Sequence, residues 1–334
     1  MAGPIDRADA LVDIDLPDPV AQGHDLLVEV KAVSVNPVDV KIRQRQSAAT
    51  NGPGWKTLGW DGAGVVKAVG DKVTLFRPGD DVFYAGTVIR QGTNAQYHLV
   101  DERITGKKPK SIDWAQAAAL PLTSITAWEA LFDRLDVRRP VLGAANALLL
   151  IGGAGGVGSI AIQLARKLTD LTVIATASRA ETCDWALAMG AHHVIDHSRP
   201  MAPQIEDLAI GAPGFVFSTT RSDQHVEDIA AIIAPQGRFL LIDDLAMFDI
   251  MPFMQKSVSV HWEMMFTRSI FETVDMAEQH RLLNAVADLV DEGKIKTTLT
   301  ERLSPIDSAN LKRAHAMVES GTMRGKVTLE GWNP

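Results

Sequence analysis

The chain has 334 residues, of which 46% are hydrophobic and 22% are charged, and its formal net charge is −8. At about 100–200 residues per domain the length predicts two domains, and the composition excludes a disordered chain or a fibre. An acidic chain has no electrostatic attraction to nucleic acid or anionic lipid. The single cysteine, Cys183, excludes an internal disulfide. Met1–Asp9 contains no apolar signal core, so we expect a cytoplasmic protein.

The first third of the chain contains short strand-like runs separated by turn signals. Leu26–Ala32 alternates apolar and charged residues, as a half-buried strand does. The turn Arg77–Asp80 directly precedes the predicted strand Asp81–Tyr84. Further strands are predicted at Gly62–Val69, Lys72–Thr74, Asp81–Tyr84 and Ala95–Val100. The pattern is typical of a small, mostly antiparallel, barrel-like β-domain.

The middle of the chain alternates strands with helices. Strands are predicted at Ala147–Ile151, Thr172–Thr176, His193–Ile195, Gly214–Ser218, Gly237–Asp243 and Ser257–Trp262, and helices at Val157–Leu168, Glu181–Met189, Pro203–Ala209 and Ser222–Ala234. Six strands alternating with helices predict a doubly wound parallel sheet. The charge-free stretch Pro140–Ala165 is long enough to cross a membrane, but five glycines interrupt its centre, so we favour a buried strand and turn.

The tail predicts a long helix, a strand, a second helix and a closing strand. The long helix covers about Thr273–Glu292 and the strand Ile295–Leu299. The second helix covers Ser304–Glu319, where Ser304 and Asp307 have the spacing of a capping box. Lys326–Leu329 is the closing strand.

A glycine motif supplies the strongest chemical signal. Gly153, Gly155 and Gly158 form a GxGxxG motif directly after a predicted strand and at the start of a predicted helix. Such glycines permit a tight turn, close approach of a pyrophosphate and close helix–strand packing, and the helix N-terminus favours an anion. The motif in this context predicts dinucleotide binding, and the alternative is a glycine turn without a ligand.

The end of the second strand of this sheet distinguishes NAD from NADP. An NAD site usually has an acidic residue there to bind the ribose 2′-hydroxyl. This chain instead has Thr176, Ala177, Ser178 and Arg179. A hydroxyl and a guanidinium suit a 2′-phosphate, so the sequence favours NADP, although Arg179 could be an ordinary surface residue.

The histidines do not predict a metal site. A catalytic zinc needs three protein ligands and an open position. His192 and His193 are adjacent and poorly placed to converge, and no HxxxH or CxxC pair occurs. We therefore expect no metal.

Four segments together resemble one family. They are Val33–Arg43, Gly59–Gly64, Leu120–Leu131 and the loop Gly152–Ser159. The later segment Ser257–Arg268 narrows the resemblance to one subgroup of that family. From about Asp9 onward the chain resembles the medium-chain dehydrogenases/reductases. It is most similar to their zinc-free quinone reductase branch and to proteins labelled zinc-type alcohol dehydrogenase-like.

The resemblance implies an α/β fold with a GroES-like β-rich catalytic domain, residues 1–122 and 269–334, and a Rossmann domain, residues 123–268. Asn36, Trp60 and Leu122 stand where the zinc enzymes have cysteine, histidine and cysteine ligands. The zinc ligands are thus lost. Relatives normally begin with an apolar strand, which Met1–Ala8 does not resemble.

The resemblance also assigns cofactor contacts in a cleft between the two domains. It places Asn36 and Thr126 near the nicotinamide and Ser178 and Arg179 near the 2′-phosphate. His197 stands where relatives often have a tyrosine beside the adenosine phosphate. The remaining implied contacts are Gly155, Gly156 and Val157 with the pyrophosphate, and Arg324 and Lys326 with the cofactor.

The implied activity is NADPH-dependent hydride transfer to a quinone or an activated α,β-unsaturated carbonyl. Asn36 would donate a hydrogen bond to the acceptor oxygen, and Asp39 would orient it or be structural. Trp60, Trp262 and Phe266 are candidates for an apolar substrate wall, although core packing is the commoner role of tryptophan.

Two alternatives remain, a zinc alcohol dehydrogenase and a non-catalytic NADPH-binding structural or sensory protein. The edge strand Ser257–His261 is expected to form a homodimer, because an unprotected edge invites pairing and relatives dimerise through it.

Overall fold

The chain folds into two compact units. The computed structural model describes residues 5–7, 9–46 and 55–333. One unit consists of Met1–Ile125 and Phe266–Pro334, and the other of Thr126–Met265. We call them the β unit and the nucleotide unit. The boundaries expected from the sequence lie three residues from these.

Strands and helices of the described residues are numbered in chain order. The strands are β1 (Asp25–Ser34), β2 (Gly62–Val69), β3 (Asp81–Tyr84), β4 (Tyr97–Asp101), β5 (Thr105–Lys107), β6 (Ala145–Ile151), β7 (Thr172–Thr176), β8 (His193–Ile195), β9 (Pro213–Ser218), β10 (Arg238–Leu241), β11 (Ser259–Trp262), β12 (Leu299–Leu303) and β13 (Lys326–Glu330). The helices are α1 (Pro37–Gln46), α2 (Trp114–Ala118), α3 (Pro121–Trp128), α4 (Gly156–Leu168), α5 (Ala180–Ala188), α6 (Met201–Asp207), α7 (Val226–Ile232), α8 (Thr267–Ile270), α9 (Glu278–Asp291) and α10 (Ser308–Glu319). Short 3₁₀ turns lie at Glu102–Ile104, Ser222–His225 and Met251–Lys256, and a π-helical turn at Glu129–Arg134.

The β unit is built around strand β1. Its strand order is β12-β13-β1-β2-β3-β5, and β4 also pairs with β1. Strand β1 pairs antiparallel with β2, β4 and β13, and two register shifts against β2 mark bulges. Because Ser34 lies opposite Thr328, the end of β1 lies beside the start of β13. This pairing brings residues from the two ends of the chain to one place.

The nucleotide unit contains a six-stranded parallel sheet, in the order β11-β10-β9-β6-β7-β8. Its central strands are nearly fully buried, as expected when helices cover both faces of a parallel sheet. The predicted doubly wound sheet and the predicted GroES-like β-rich domain are confirmed. The carboxyl ends of β6, β7, β8 and β9 lie along one edge, where ligands bind in such sheets.

Two predicted strands differ from the structure. Lys72–Thr74 is not a strand. The strand expected at Ile295–Leu299 is β12, which begins only at Leu299, because its pairing with β13 begins with Leu299 opposite Lys326. For Met1–Ala8, residues 1–4 and 8 lie outside the described residues.

Three predicted helices begin later than expected, and in one of them, α7, the 3₁₀ turn Ser222–His225 replaces the predicted first turn. Helix α10 begins at Ser308, and the Asp307 side chain accepts from the Asn310 N–H at 2.8 Å as its N-cap. Ser304 precedes a proline, which disfavours the helical conformation, so the expected capping box is wrong. Helix α9 begins at Glu278 rather than near Thr273.

Candidate active site

The glycine motif forms a tight turn between β6 and α4. A Cβ on Gly158 would lie 2.3 Å from the Gly152 carbonyl oxygen, so close helix–strand packing requires glycine there. A Cβ on Gly155 would meet only that oxygen, at 3.6 Å, so this position is open. Helix α4 begins without a side-chain cap, which leaves its first N–H groups available to an anion. This geometry fits a dinucleotide pyrophosphate beside Gly155.

Strand β7 holds the glycine turn through its last residue. The Gly152 N–H donates to Thr176 Oγ1 at 3.1 Å, and the Gly153 N–H to the Thr176 carbonyl at 3.1 Å. His197, which follows β8, lies with Nδ1 2.8 Å from Thr176 Oγ1. The predicted cofactor residue His197 is therefore attached to the same threonine as the glycine turn.

The two residues predicted to bind a 2′-phosphate lie between β7 and α5. Ser178 and Arg179 are both exposed. Arg179 Nη1 lies 3.2 Å from Glu181 Oε1, and both side chains are largely exposed. An exposed pair of this kind contributes little stability, so Arg179 could exchange Glu181 for a phosphate at low cost.

In the β unit, Asp61 connects the three positions that the resemblance aligns with zinc ligands. Its Oδ1 accepts the Leu122 N–H at 2.8 Å, and its Oδ2 accepts from Asn36 Nδ2 at 2.7 Å. Trp60 precedes Asp61 and is fully buried, and its indole N–H donates to the Thr87 carbonyl at 3.0 Å. A carboxylate therefore organises this site.

Lys326 completes a buried charge network with Asp61. Its Nζ lies 3.3 Å from Asp61 Oδ2 and donates to the Val35 carbonyl at 2.9 Å and to Asn36 Oδ1. The lysine reaches these atoms because β13 pairs with β1, which runs into Val35 and Asn36. The side chains of Lys326 and Asp61 are 4% and 0% exposed, so water screens their attraction weakly.

A second carboxylate, Asp39, lies at the start of α1. Its Oδ2 accepts the Asn36 N–H at 2.7 Å, and its Oδ1 has no hydrogen-bond partner within the described chain. Burial raises the pKa of Asp39 to about 7, against the lowering effect of the Asn36 N–H and of Lys326. Burial likewise raises the pKa of Asp61 to about 6. We call Asn36, Asp39, Asp61 and Lys326 the buried network.

The network uses both amide protons of Asn36. Nδ2 donates to Asp61 Oδ2 and, at 3.3 Å, to the Trp60 carbonyl. The predicted donation from Asn36 to a substrate oxygen would therefore require one of these bonds to break. Lys326, predicted to contact the cofactor, is buried against Asn36 and Asp61, which favours a positioning role.

The other predicted site residues differ in exposure. Thr126 is buried in the nucleotide unit and Phe266 in the β unit. Trp262 on β11 is 51% exposed and packs edge-on against Phe248, with ring centroids 6.0 Å apart. The full burial of Trp60 favours core packing over a substrate wall. Arg324 immediately precedes Gly325 and β13 and is exposed.

Sequence reasoning missed a histidine beside His197. His225 follows β9 through a short 3₁₀ turn, and its ring centroid lies 6.1 Å from that of His197. Nothing in the local sequence indicates the pairing, because the two residues follow different strands.

The positions aligned with zinc ligands do not fit zinc. Trp60 and Leu122 carry no metal-ligating atom, and the Asn36 amide is engaged by Asp61 and Lys326. Within 5–7, 9–46 and 55–333, no three or more His, Cys, Asp or Glu side chains group as a metal site would. In the same ranges, no helix combines the length and apolarity needed to span a bilayer.

The chain combines a parallel sheet of the dinucleotide-binding type with a β-rich unit. This combination is typical of two-domain dehydrogenases and reductases. Two family models match the chain. The alcohol dehydrogenase GroES-like domain matches residues 22–110, and a model described as zinc-binding dehydrogenase matches residues 189–329.

Individual relatives point to the same class of protein. A zinc-type alcohol dehydrogenase-like protein of Staphylococcus aureus (strain MSSA476) is 40% identical over 316 residues, 93% of this chain and 92% of its own. The NADPH-dependent alkenal/one oxidoreductase of Arabidopsis thaliana is 37% identical over 240 residues, 67% of this chain and 60% of its own. A crystal structure from Rhizobium etli CFN 42, described as that of a candidate zinc-dependent alcohol dehydrogenase, is 65% identical with a TM-score of 0.97 and covers 100% of this chain and 97% of its own.

The chain belongs to the medium-chain dehydrogenase/reductase superfamily. It is therefore an oxidoreductase of a family whose members bind nicotinamide cofactors. The resemblance inferred from the four sequence segments is confirmed.

Proposed function

We propose that the protein transfers hydride from NADPH to a quinone or an α,β-unsaturated carbonyl compound, in the cytoplasm and without zinc. The observation that carries this proposal is the buried network. Asp61 and Lys326 form an ion pair, and Asp61 also bonds Asn36 and Leu122, two of the positions that the resemblance aligns with zinc ligands.

The buried network limits the acceptors that the site can reduce. A simple ketone or an alcohol needs a Lewis acid to stabilise the charge on its oxygen, and zinc supplies this in related enzymes. The Lys326 ammonium is already neutralised by Asp61 and bonded to Asn36 and Val35. An acceptor that delocalises its own negative charge, such as a quinone or an enone, suits this environment.

The nucleotide unit supplies the groups that bind the cofactor. The N-terminus of α4 and the open position at Gly155 suit the pyrophosphate, and Ser178 and Arg179 suit a 2′-phosphate. When bound, the nicotinamide ring supplies the hydride, and the protein supplies orientation and electrostatics. The printed name of the Arabidopsis relative, an NADPH-dependent alkenal/one oxidoreductase, agrees with this choice of cofactor and acceptor.

In the β unit, the network fixes the orientation of the Asn36 side chain. Lys326 donates a hydrogen bond to Oδ1 of the Asn36 amide, while Asp61 accepts one from its Nδ2. Asp39 holds the Asn36 backbone, and burial brings its pKa to about 7. A buried carboxyl with that pKa holds a proton near neutral pH without a metal.

We propose further that two copies associate through strand β11. The expected edge strand Ser257–His261 corresponds to β11, which lies at the end of the sheet and, among the described strands, pairs only with β10. Apolar side chains are exposed beside it, namely Met247, Ile250, Met251, Met254, Trp262 and Met264. Such a patch next to an open strand edge is typical of an interface. Light scattering at micromolar concentration should give the dimer mass, and a monomer mass would contradict this assignment.

Steady-state assays test the reaction. We expect NADPH to be oxidised with 1,4-benzoquinone or with a short-chain enone, and NADP to be reduced poorly with a primary alcohol. Addition of zinc should leave the rates unchanged. Efficient alcohol oxidation that requires zinc would support an alcohol dehydrogenase instead. Tight NADPH binding with no turnover of any of these substrates would support a non-catalytic binding protein.

A further inference from the structure

Two loops of the nucleotide unit meet above the carboxyl edge of its sheet. His197 follows β8, while Arg221 and His225 follow β9. In the strand order β9-β6-β7-β8, these loops come from opposite sides of β6 and β7. Because the His197 and His225 rings are nevertheless 6.1 Å apart, they meet beside the ends of the two strands that carry the glycine turn and the cofactor-selecting residues.

Hydrogen bonding links this histidine pair to the end of β7. Thr176 Oγ1 accepts the Gly152 N–H and can donate its own proton to His197 Nδ1. The neutral His197 ring then carries its proton on Nε2, away from Thr176. Within the described part of the chain, no hydrogen bond engages the ring of His225. Two half-buried imidazoles thus keep N–H groups for a ligand.

The charges around the two rings come from several elements. His197 faces His225 and Arg221, and also Asp196 at the end of β8. His225 faces the same Arg221 and three acidic residues, which are Asp223 in its own turn, Asp228 on α7 and Asp243 after β10. Asp243 also accepts the Ser222 N–H at 2.7 Å.

Burial lowers the pKa of both histidines, and their mutual proximity lowers that of His197 further. Burial therefore favours the neutral form of both rings in the free protein. A dianionic ligand placed between them and Arg221 would reverse this preference, since an anion stabilises the imidazolium form.

We propose that His197, His225 and Arg221 form a proton-coupled site for a phosphate monoester, and that NADPH binding therefore takes up a proton that NADH binding does not. The inference rests on the proposed use of NADPH. The 2′-phosphate would occupy the space beside the end of β7, where Ser178 and Arg179 also lie. Arg179 can exchange Glu181 for the phosphate, and Arg221 and a protonated histidine of the pair add further positive charge.

The consequence is a steep pH dependence of NADPH affinity. One proton taken up on binding weakens the affinity about tenfold for each rise of one pH unit. The 2′-phosphate itself titrates near pH 6, so measurements between pH 6.5 and 8.5 keep it mostly dianionic. Over these two pH units we expect the dissociation constant of NADPH to rise by up to about 100-fold, and that of NADH by less than about twofold.

Isothermal titration calorimetry of the full chain tests the proposal directly. Titrations at pH 7.5 in buffers of different ionisation enthalpy count the protons taken up with NADPH, NADH, 2′,5′-ADP and 5′-AMP. We expect uptake with NADPH and 2′,5′-ADP but not with NADH or 5′-AMP. The variant His225→Gln should reduce this uptake, while His193→Gln, at the amino end of β8, should leave it unchanged.

The outcomes separate this inference from the proposed function. NADPH that binds more tightly than NADH but takes up no proton would overturn the proton-coupled site and leave the cofactor assignment standing. NADH that binds as tightly as NADPH would overturn both. Equal loss of uptake in His225→Gln and His193→Gln would also reject the site, because His225 contacts the His197 ring whereas His193 lies at the amino end of β8.

Discussion

Replacement of Lys326 by methionine tests whether the buried network holds the β unit together. Methionine keeps most of the side-chain volume but removes the ammonium group from a site that is 4% exposed. Asp61 would then have no cation at 3.3 Å, and Asp39 would lose the positive charge that lowers its pKa. At an effective dielectric constant of about 20, a pair at this distance is worth about 5 kcal/mol. Breaking a buried pair typically costs about 3–5 kcal/mol, so we expect a loss in that range at pH 8.5.

The loss should shrink as the pH falls. The pKa of Asp61 is about 6 and that of Asp39 about 7 with the lysine present, and both would rise without it. Near pH 5.5 the carboxyls of Lys326→Met therefore take up protons and no longer need a cation. We expect the loss to fall to about 1–2 kcal/mol at this pH. The double variant Lys326→Met/Asp61→Asn should recover at least half of the stability lost at pH 8.5.

Hydrogen exchange as a function of urea, followed by mass spectrometry, measures this effect locally. Peptides from β1 and β13 report on the β unit, and peptides from β6 in the nucleotide unit provide an internal control. A loss below about 1 kcal/mol at pH 8.5, an equal loss at both pH values, or no recovery in the double variant would refute the reasoning.

Three further predictions concern single residues. Gly155→Val should leave the fold intact, because a Cβ there meets only one oxygen, at 3.6 Å. It should weaken NADPH binding at least about tenfold in a fluorescence titration. Gly158→Val should instead destabilise the nucleotide unit. Arg179→Ala should weaken NADPH by about 10–100-fold and NADH much less, and equal effects on the two cofactors would reject its role at the 2′-phosphate. Asp39→Asn should gain about 2–4 kcal/mol of stability relative to the unsubstituted protein as the pH rises from 5 to 8.5, measured by urea unfolding. With a pKa of about 7, Asp39 keeps its proton in the folded protein, whereas the unfolded chain releases this proton above about pH 4. A pH-independent difference would contradict this.

Much of the fold could be predicted because its signals are local. Strands β2, β3, β7 and β8 have the predicted bounds. Buried parallel strands are continuous apolar runs, and turn residues delimit the others. The helix expected at Ser304 shows the limit of such patterns. Its capping spacing was present, but a proline after Ser304 and the better-placed Asp307 moved the start to Ser308.

The candidate site was only partly predictable, because its bonds join distant residues. The glycine turn depends on neighbouring residues, and its motif was readable in the sequence. The bond from Lys326 to Asn36 spans 290 positions and depends on the pairing of β13 with β1. The contact of His197 with His225 depends on two loops of one sheet that leave different strands. The spacing of these residues along the sequence indicates neither contact.

The buried network also explains how a chain matched by a zinc-binding dehydrogenase model keeps a stable site without the zinc ligands. Removing ligands alone would leave Asp61 buried without a counter-charge, which costs several kcal/mol. Lys326 supplies that charge from β13, and the backbone N–H of Leu122 adds a hydrogen bond. An ammonium held in this way has no open coordination position, unlike catalytic zinc. The charge of the reaction must then be borne by the acceptor, and this is why we expect quinones and enones to react and unactivated alcohols to fail.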